Sequence, residues 1–195
     1  MSDAIVYNTD IAVFKGGYFN YEDMSRNTGF TIEAVAKGLS NECRFAGQCD
    51  EFYSVAQHSL LVAKILKRHG LSRQVQFAGL VHDMSECVMK DIPTPLKKLI
   101  PQYYVIEKRV QDWMVSIFAP EAQFEDNIRV ADLIALGIEQ RDVMHNTDPW
   151  LSLKDISKQS IAELHLEEPM YPFTAYHAWL GQYHVLRDAA MREIL

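Results

Sequence analysis

Apolar side chains recur with a helical period along most of the chain from residue 31 onwards. In residues 31–41 they fall three or four positions apart, after Thr31, which can cap a helix. The segment 54–69 repeats the pattern over a longer stretch, because it opens with Ser54, ends in basic residues and is followed by Gly70. Both segments are therefore predicted to be amphipathic helices.

The same criterion predicts further helices towards the C-terminus. These segments are residues 73–89, 103–119, 124–145, 155–164 and 174–195. Ser72 is placed to cap the first of them, which is expected to run unbroken to residue 89. Pro93 and Pro95 then predict a non-helical turn.

The N-terminal part of the chain has a different character. Residues 5–22 are rich in β-branched and aromatic side chains around Gly16 and Gly17, which predicts a short hairpin or extended arm. The sequence contains no internal repeat and no alternation of strands with helices. We therefore predict an all-α helical bundle with a small N-terminal β-hairpin element, forming a single domain over residues 1–195.

Composition narrows the class of protein. A chain of 195 residues with 48% hydrophobic and 23% charged side chains is typical of one globular domain with its own core. The net charge of −7 disfavours a nucleic-acid partner, because a polyanion binds to basic surfaces. The three cysteines match neither zinc-site spacing nor a disulfide framework. With no signal-peptide pattern and no apolar run near ~20 residues, we expect a cytoplasmic protein without a membrane partner.

One predicted helix carries more charge than its apolar neighbours explain. The stretch LVHDMSEC places His82, Asp83 and Glu86 within five residues of one another. On a continuous helix Glu86 lies one turn beyond the other two and shares their face. Charged side chains are rarely buried unless they are paired or bind a metal. This face is therefore either exposed to solvent or bound to a divalent ion.

Two more helices carry isolated polar residues among apolar neighbours, namely His58 and Asp132. A single histidine of this kind is usually a core residue with a satisfied hydrogen bond. Combined with His82 and Asp83, however, the set offers two imidazoles and two carboxylates from three helices. Helical bundles build metal sites in this way, and the mixed donors suit Co, Mn, Zn or Fe better than Ca or Mg.

These four residues resemble the H…HD…D signature of the HD superfamily of metal-dependent phosphohydrolases. The surrounding blocks, among them LVHDMSECVMKDIPTPLKK, are similar to those of small bacterial and phage HD hydrolases, including 5'-deoxynucleotidases and phage dATP triphosphohydrolases. The resemblance implies the all-α HD-domain fold. It also divides the chain into an N-terminal arm at 1–30, a metal-site core at 31–145 and a C-terminal loop and helix at 146–195.

The resemblance implies a role for each matching residue. The metal ligands would be His58, His82, Asp83 and Asp132. Two acids, Glu86 and Asp91, match the positions that hold or activate the attacking water. Arg44 and Phe45 match a pair that contacts the phosphate and the sugar or base. Lys97 and Arg129 stand where triphosphate-cleaving members place cations that bind phosphate.

The function implied is a divalent-metal-dependent phosphohydrolase of deoxynucleotides, in one of two versions. One hydrolyses a deoxynucleoside triphosphate such as dATP to the deoxynucleoside and triphosphate, and the other is a 5'-deoxynucleotidase that acts on deoxynucleoside monophosphates. Three predicted cations exceed what a monophosphate beside a metal needs, which favours the triphosphate and, with it, a second ion of the magnesium type. A non-catalytic nucleotide-binding or regulatory HD domain is the alternative from another class.

The remaining polar and aromatic positions are interpreted more simply. Four aromatic residues are expected in the core of the bundle or on an oligomer face: Trp113, Tyr176, Trp179 and Tyr183. A homo-oligomer is therefore compatible with the sequence. Lys98 is expected at the surface. Five histidines are expected to be structural or at the surface, without a role in the site: His69, His145, His165, His177 and His184.

Overall fold

The structure, a computed structural model, describes residues 9–166 and 168–195 and is dominated by α-helices. In chain order the helices are α1 Ile32–Asn41, α2 Val55–Arg68, α3 Arg73–Val81, α4 Glu86–Met89, α5 Thr94–Lys97, α6 Pro101–Phe118, α7 Asp126–Asp142, α8 Lys158–Ala162 and α9 Pro172–Ile194. Short 3-10 helices occur at Met24–Arg26, Arg44–Gly47 and Leu151–Leu153. The prediction of an all-α bundle is confirmed.

A small β-hairpin precedes the helices. Strands β1 (Asp10–Ala12) and β2 (Tyr18–Asn20) pair in antiparallel register, with Ile11 opposite Phe19. The fully buried ring of Phe19 anchors the hairpin to the helices, because it meets the ring of Trp113 at a centroid distance of 5.7 Å. The predicted hairpin is thus confirmed within the described residues, while residues 5–8 of the predicted arm lie outside them.

The predicted starts of α1, α2 and α3 are also confirmed, and side-chain caps at Thr31, Ser54 and Ser72 explain them. The Thr31 hydroxyl accepts from the Ala34 N–H at the start of α1. At the start of α2, Ser54 and Gln57 each accept a hydrogen bond from the other's backbone N–H, which forms a capping box. Such caps satisfy amide groups that have no partner inside the helix, so polar residues determine where these helices begin.

The predicted continuous helix over residues 73–89 is wrong, because α3 ends at Val81. His82 Nδ1 lies 2.8 Å from Gly79 O, the acceptor that a continuing helix would offer to the Asp83 N–H. The next backbone bonds join residues three apart, with the Glu86 N–H 3.1 Å from Asp83 O. The segment between α3 and α4 is therefore a tighter turn, in which residues three apart lie on one side.

The turn predicted at Pro93 and Pro95 is partly helical as well. Pro93 is the N-cap residue of α5, and Pro95 lies in its first turn. Proline is tolerated there because the first amide groups of a helix have no intrahelical partner in any case. The expectation of a wholly non-helical segment was therefore wrong.

The C-terminal helix completes the core of the bundle. Helix α9 packs against α1, α2 and α3 and buries the side chains of Trp179 and Tyr183 among them. A second cluster of buried aliphatic residues joins α2 and α3 to α7. Within residues 9–166 and 168–195, no helix combines the length and apolar composition that a membrane span needs.

The positions interpreted as surface are exposed. They are Lys98, His69, His145, His165, His177 and His184. Of the aromatic positions expected in the core or on an oligomer face, Trp113 and Tyr176 are half-buried.

Gly38 permits a close approach between α1 and α4, the helix that follows the turn at residues 82–85 (the HD turn). A Cβ atom at this position would lie 2.5 Å from the carbonyl oxygen of Cys87, a backbone atom that cannot rotate away. We expect Gly38→Ala to lower the free energy of unfolding by about 1–3 kcal/mol, because overpacking outweighs the better helix propensity of alanine. Urea denaturation measures the change.

Gly181 provides the matched control, because it also lies inside a helix. A Cβ atom there meets nothing within 4 Å. Gly181→Ala should therefore stabilise the protein by about 0.5–1 kcal/mol through helix propensity alone. Equal shifts in the two variants would show that α1 and α4 do not pack as closely as described.

Candidate metal centre

The four predicted ligands come together where α2, α7 and the turn after α3 meet. His58 Nε2 lies 3.1 Å from Asp132 Oδ1 and 3.7 Å from Asp83 Oδ2. His82 Nε2 lies 3.0 Å from the same oxygen of Asp83 and 4.0 Å from Asp132 Oδ1. One potential ligand atom from each of His58, His82 and Asp132 lies within 4.8 Å of the others. These three are close enough for one ion to reach them, and Asp83 Oδ2 lies beside both imidazoles.

The two Nε2 atoms are the most informative feature of this cluster. Both are buried, and neither makes a hydrogen bond to any described residue, although carboxylate oxygens lie 3.0–3.1 Å away. The close approach thus occurs without the direction that a hydrogen bond requires. Several donor atoms thus lie close together without hydrogen bonds between them, which is the arrangement found when they are ligands of one shared cation.

The other nitrogen of each ring fixes the tautomer. His82 Nδ1 lies 2.8 Å from Gly79 O, and a carbonyl oxygen only accepts, so Nδ1 carries the hydrogen. His58 Nδ1 lies 2.6 Å from Glu139 Oε1, to which it donates in the same way. In its neutral form each ring therefore directs the lone pair of Nε2 into the cluster, which is the usual arrangement of histidines that bind metals.

The donor set fits a divalent transition metal. Two imidazole nitrogens with two carboxylates suit Co, Mn, Zn or Fe better than they suit Ca or Mg, which prefer oxygen ligands. The elements that present the ligands are well anchored, since the side-chain amide of Gln111 bonds both Ser85 N and Val81 O around the HD turn. The site is thus built on packed helices and on a turn that is held at both ends.

Glu139 is a residue of the centre that sequence reasoning missed. It lies on α7, is fully buried, and contacts His58 through Oε1 and the Nη2 atom of Arg44 through Oε2, at 2.9 Å. Burial raises the pKa of Glu139, but Arg44 and His58 outweigh it and lower the pKa below its ordinary value. Its position seven residues after Asp132, two helical turns further along the same face, was a signal that could have identified it.

Arg44, predicted to contact substrate, is tied to carboxylates. It is 9% exposed, and besides its bond to Glu139 its Nη1 atom lies 3.6 Å from Asp91 Oδ2. Burial lowers the pKa of Arg44, but Glu139 and Asp91 raise it well above its usual value, so the guanidinium stays charged. Any contact of Arg44 with phosphate must therefore share the cation with these two acids.

Phe45, the other residue of the predicted pair, lies directly beside this guanidinium. Its ring centroid is 5.3 Å from Arg44 Cζ and 6.3 Å from the centroid of Trp150. Phe45 and Ala46 both adopt left-handed backbone angles, with φ of 54° and 53°. Non-glycine residues rarely hold such angles, so the packing around this loop must impose them.

The two predicted catalytic acids differ in their surroundings. Glu86 is buried, and burial together with the charges of Asp83 and Asp91 raises its pKa well above the ordinary value. Burial also raises the pKa of Asp91, although Arg44 opposes the shift. The backbone N–H of Asp91 donates to Glu42 Oε1 at 3.2 Å, which helps to hold this segment in place. A carboxyl with a raised pKa is suited to exchange protons near neutrality.

The two predicted phosphate-binding cations also differ. Lys97 Nζ lies 2.6 Å from Glu107 Oε1 on α6 and 3.4 Å from Glu86 Oε1. Arg129 is exposed, one helical turn before Asp132, and forms no ion pair with any residue that the structure describes. Glu107 was also missed, and no sequence signal identified it, because it lies on a helix that carries none of the predicted site residues.

Comparison with known proteins agrees with this geometry. Residues 55–171, more than half of the chain, match the HD domain family. The uncharacterised protein YfdR of Escherichia coli (strain K12) is 31% identical over 179 residues, which cover 91% of this chain and 96% of that protein. An uncharacterised protein of Rhodobacter capsulatus is 42% identical over 78 residues, covering 38% of this chain and 40% of that protein. The chain therefore belongs to the HD domain family, as its sequence predicted.

The centre should bind metal more tightly as the pH rises. Burial and Arg44 lower the pKa of His58, but Glu139 and Asp132 outweigh them and raise it to about 10. The proton concerned occupies Nε2, where it competes with a cation, so loss of protons favours binding. Calorimetric titration with Co²⁺ should show an affinity that increases from mildly acidic to mildly alkaline buffer, with release of protons. A constant or falling affinity would contradict this assignment.

Proposed function

We propose that this chain is a divalent-metal-dependent phosphohydrolase that acts on deoxynucleotides. The observation that carries the proposal is the pair of buried Nε2 atoms of His58 and His82, which lie beside two carboxylates without hydrogen bonds. Membership of the HD domain family supports the same reaction class. The proposal assigns His58, His82, Asp83 and Asp132 as the metal ligands.

The neighbouring acids supply the groups that hydrolysis requires. A divalent ion lowers the pKa of a water molecule and offsets negative charge on a phosphoryl oxygen. In the proposed reaction Glu86 orients the attacking water and accepts its proton, a role that suits a buried carboxyl with a raised pKa. Asp91, held near Arg44, orients the same water from the other acidic position. Lys97, whose Nζ lies 3.4 Å from Glu86 Oε1, favours the ionised form of Glu86 that can accept this proton.

The charge balance bears on the length of the phosphate chain. The sequence favoured dATP or another triphosphate because three cations were expected to face the substrate. Two of these, Arg44 and Lys97, are each paired with two carboxylates, so little of their charge is left for an additional anion. This pairing supports the 5'-deoxynucleotidase alternative, and we propose a deoxynucleoside monophosphate as the substrate. A triphosphate would depend on Arg129 and on a second ion of the magnesium type.

The aromatic residues beside the centre support a nucleoside as the leaving part of the substrate. Phe45 and Trp150 are half-buried, and neither belongs to the two buried core clusters of the described residues. The ring of Phe45 lies next to the guanidinium of Arg44, which contacts Asp91 and Glu139, and the ring of Trp150 lies next to that of Phe45. Flat aromatic faces of this kind pack well against a sugar or base. We propose that the nucleoside binds against this pair.

The location and the assembly of the protein are part of the same proposal. The three cysteines, all within the described part of the chain, are free thiols, which supports the predicted cytoplasmic location. An exposed apolar surface at the start of α6, formed by Leu99, Ile100, Tyr104 and Val105, supports homo-oligomerisation. The partner proposed for the site itself is a small nucleotide, with neither nucleic acid nor membrane involved.

A screen of substrates against metals tests the function. The purified protein, loaded with Co²⁺ or Mn²⁺, is incubated with matched panels of deoxynucleoside mono- and triphosphates, and the products are separated by chromatography. We expect inorganic phosphate and deoxynucleoside from the monophosphates. Release of triphosphate from dATP would replace the monophosphate with the triphosphate version. If neither panel were hydrolysed with any divalent metal, the chain would instead be a non-catalytic nucleotide-binding domain.

A pair of single substitutions tests the assignment of the site. Asp83→Ala should lower kcat/KM by more than the ~10–100-fold that loss of an outer-shell partner of a metal ligand typically costs, because it removes a ligand directly. Lys98→Ala should leave kcat/KM within about 0.5 kcal/mol of the wild type, since Lys98 is exposed. Steady-state kinetics on both variants provides the measurement. Similar losses in the two variants would mean that the site has been placed wrongly.

A further inference from the structure

A continuous series of buried polar contacts runs from the metal ligand His58 to the acid Asp91. His58 Nδ1 donates to Glu139 Oε1 at 2.6 Å, and Glu139 Oε2 accepts from Arg44 Nη2 at 2.9 Å. Arg44 Nη1 in turn lies 3.6 Å from Asp91 Oδ2. These contacts join α2, α7, the 3-10 turn at Arg44–Gly47 and the segment before α5, which are distant from one another in sequence.

The central members of this series depend on each other electrostatically. The side chain of Glu139 has no exposed surface, and that of Arg44 is 10% exposed. Removing either partner of a buried ion pair leaves an uncompensated charge, which the protein must neutralise or expose by moving the group. The position of Glu139, and with it the orientation of the His58 ring, therefore depends on Arg44.

We infer that Arg44 and Glu139 form a positioning pair that orients the metal ligand His58 and links it to the acid Asp91. Glu139 touches the ligand, and Arg44 acts through Glu139, so neither needs to contact the metal or the reacting phosphate for this role. A planar guanidinium suits it, because its fork can hold two carboxylates at once. The role of Arg44 towards phosphate, implied by the family resemblance, is separate from this one.

This inference rests on the proposed metal centre, so its test measures metal binding directly and without nucleotide. Two substitutions conserve charge and change only geometry. Glu139→Asp shortens the side chain by one methylene, so it cannot reach both His58 and Arg44. Arg44→Lys replaces the fork with a point charge that cannot hold both carboxylates in place. Because net charge is unchanged, a change in affinity for Co²⁺ reports on positioning and not on attraction of the cation.

The probe is Co²⁺ alone, titrated into the full-length protein and followed by calorimetry. Glu139→Asp should raise the Kd by ~10–100-fold, as expected when the partner of a metal-binding histidine is displaced. Arg44→Lys should raise it in the same direction by a smaller factor. Partial unfolding is distinguished in the same experiment, since unfolded molecules lower the binding stoichiometry and leave the Kd of the folded ones unchanged.

Arg141→Lys is the matched control. Arg141 lies on α7, the helix of Glu139, and pairs with Asp142 at 2.5 Å, outside the metal centre. It should leave the Kd for Co²⁺ unchanged. Equal losses of affinity in this control and in Arg44→Lys would overturn the inference, because replacing any paired arginine by lysine would then have the same effect.

The outcomes separate the inference from the function on which it rests. If the wild-type protein bound no Co²⁺, the proposed metal centre would fail, and the positioning pair with it. If the wild type bound Co²⁺ and either charge-conserving variant kept the same Kd, the positioning pair alone would be wrong. A higher KM for nucleotide in Arg44→Lys, with an unchanged Kd for Co²⁺, would show that Arg44 acts on the phosphate and not through Glu139.

Discussion

The buried contact between Glu139 and His58 is the interaction on which the centre depends. It fixes which nitrogen of the ring carries the hydrogen, and so decides that Nε2 faces Asp132. A fully buried carboxylate destabilises the fold unless an opposite charge is paired with it, and Arg44 supplies that charge from a distant part of the chain. The buried charges of Glu139 and Arg44 therefore support His58 from the side of the ring that faces away from Asp132.

The turn after α3 is the second constraint, because it presents adjacent residues to different partners. The ring of His82 takes the carbonyl of Gly79 that a continuing helix would use, and the backbone tightens into bonds between residues three apart. Close packing of Gly38 against Cys87 then holds the short helix that follows. A regular helix would offset Asp83 and Glu86 by about 60° around its axis, whereas the period of three residues in this turn brings them closer to alignment.

Much of the centre was predictable because its residue types contradict their surroundings. His58 and Asp132 stand out among aliphatic neighbours, and the HD dipeptide adds two donors where the helical pattern expects apolar side chains. The motif similarity then assigned roles to these positions, and the HD domain family membership confirms the class to which they belong. Glu139 escaped notice because a glutamate near the polar end of a helix is common at the surface. Its spacing of seven residues from Asp132 was the one sequence signal, and its contacts with His58 and Arg44 place it in the centre.

The sequence by itself predicted most of the helices, the caps of α1, α2 and α3, and the hairpin, and its resemblance to HD hydrolases singled out the four candidate donors. Local effects explain this success, since periodicity and capping depend on neighbours within a few positions. Tertiary structure alone decided where α3 ends, which ring nitrogens face the cluster, and that Arg44 and Lys97 form ion pairs with carboxylates. Those outcomes depend on contacts between residues up to 95 positions apart, and no local pattern encodes them.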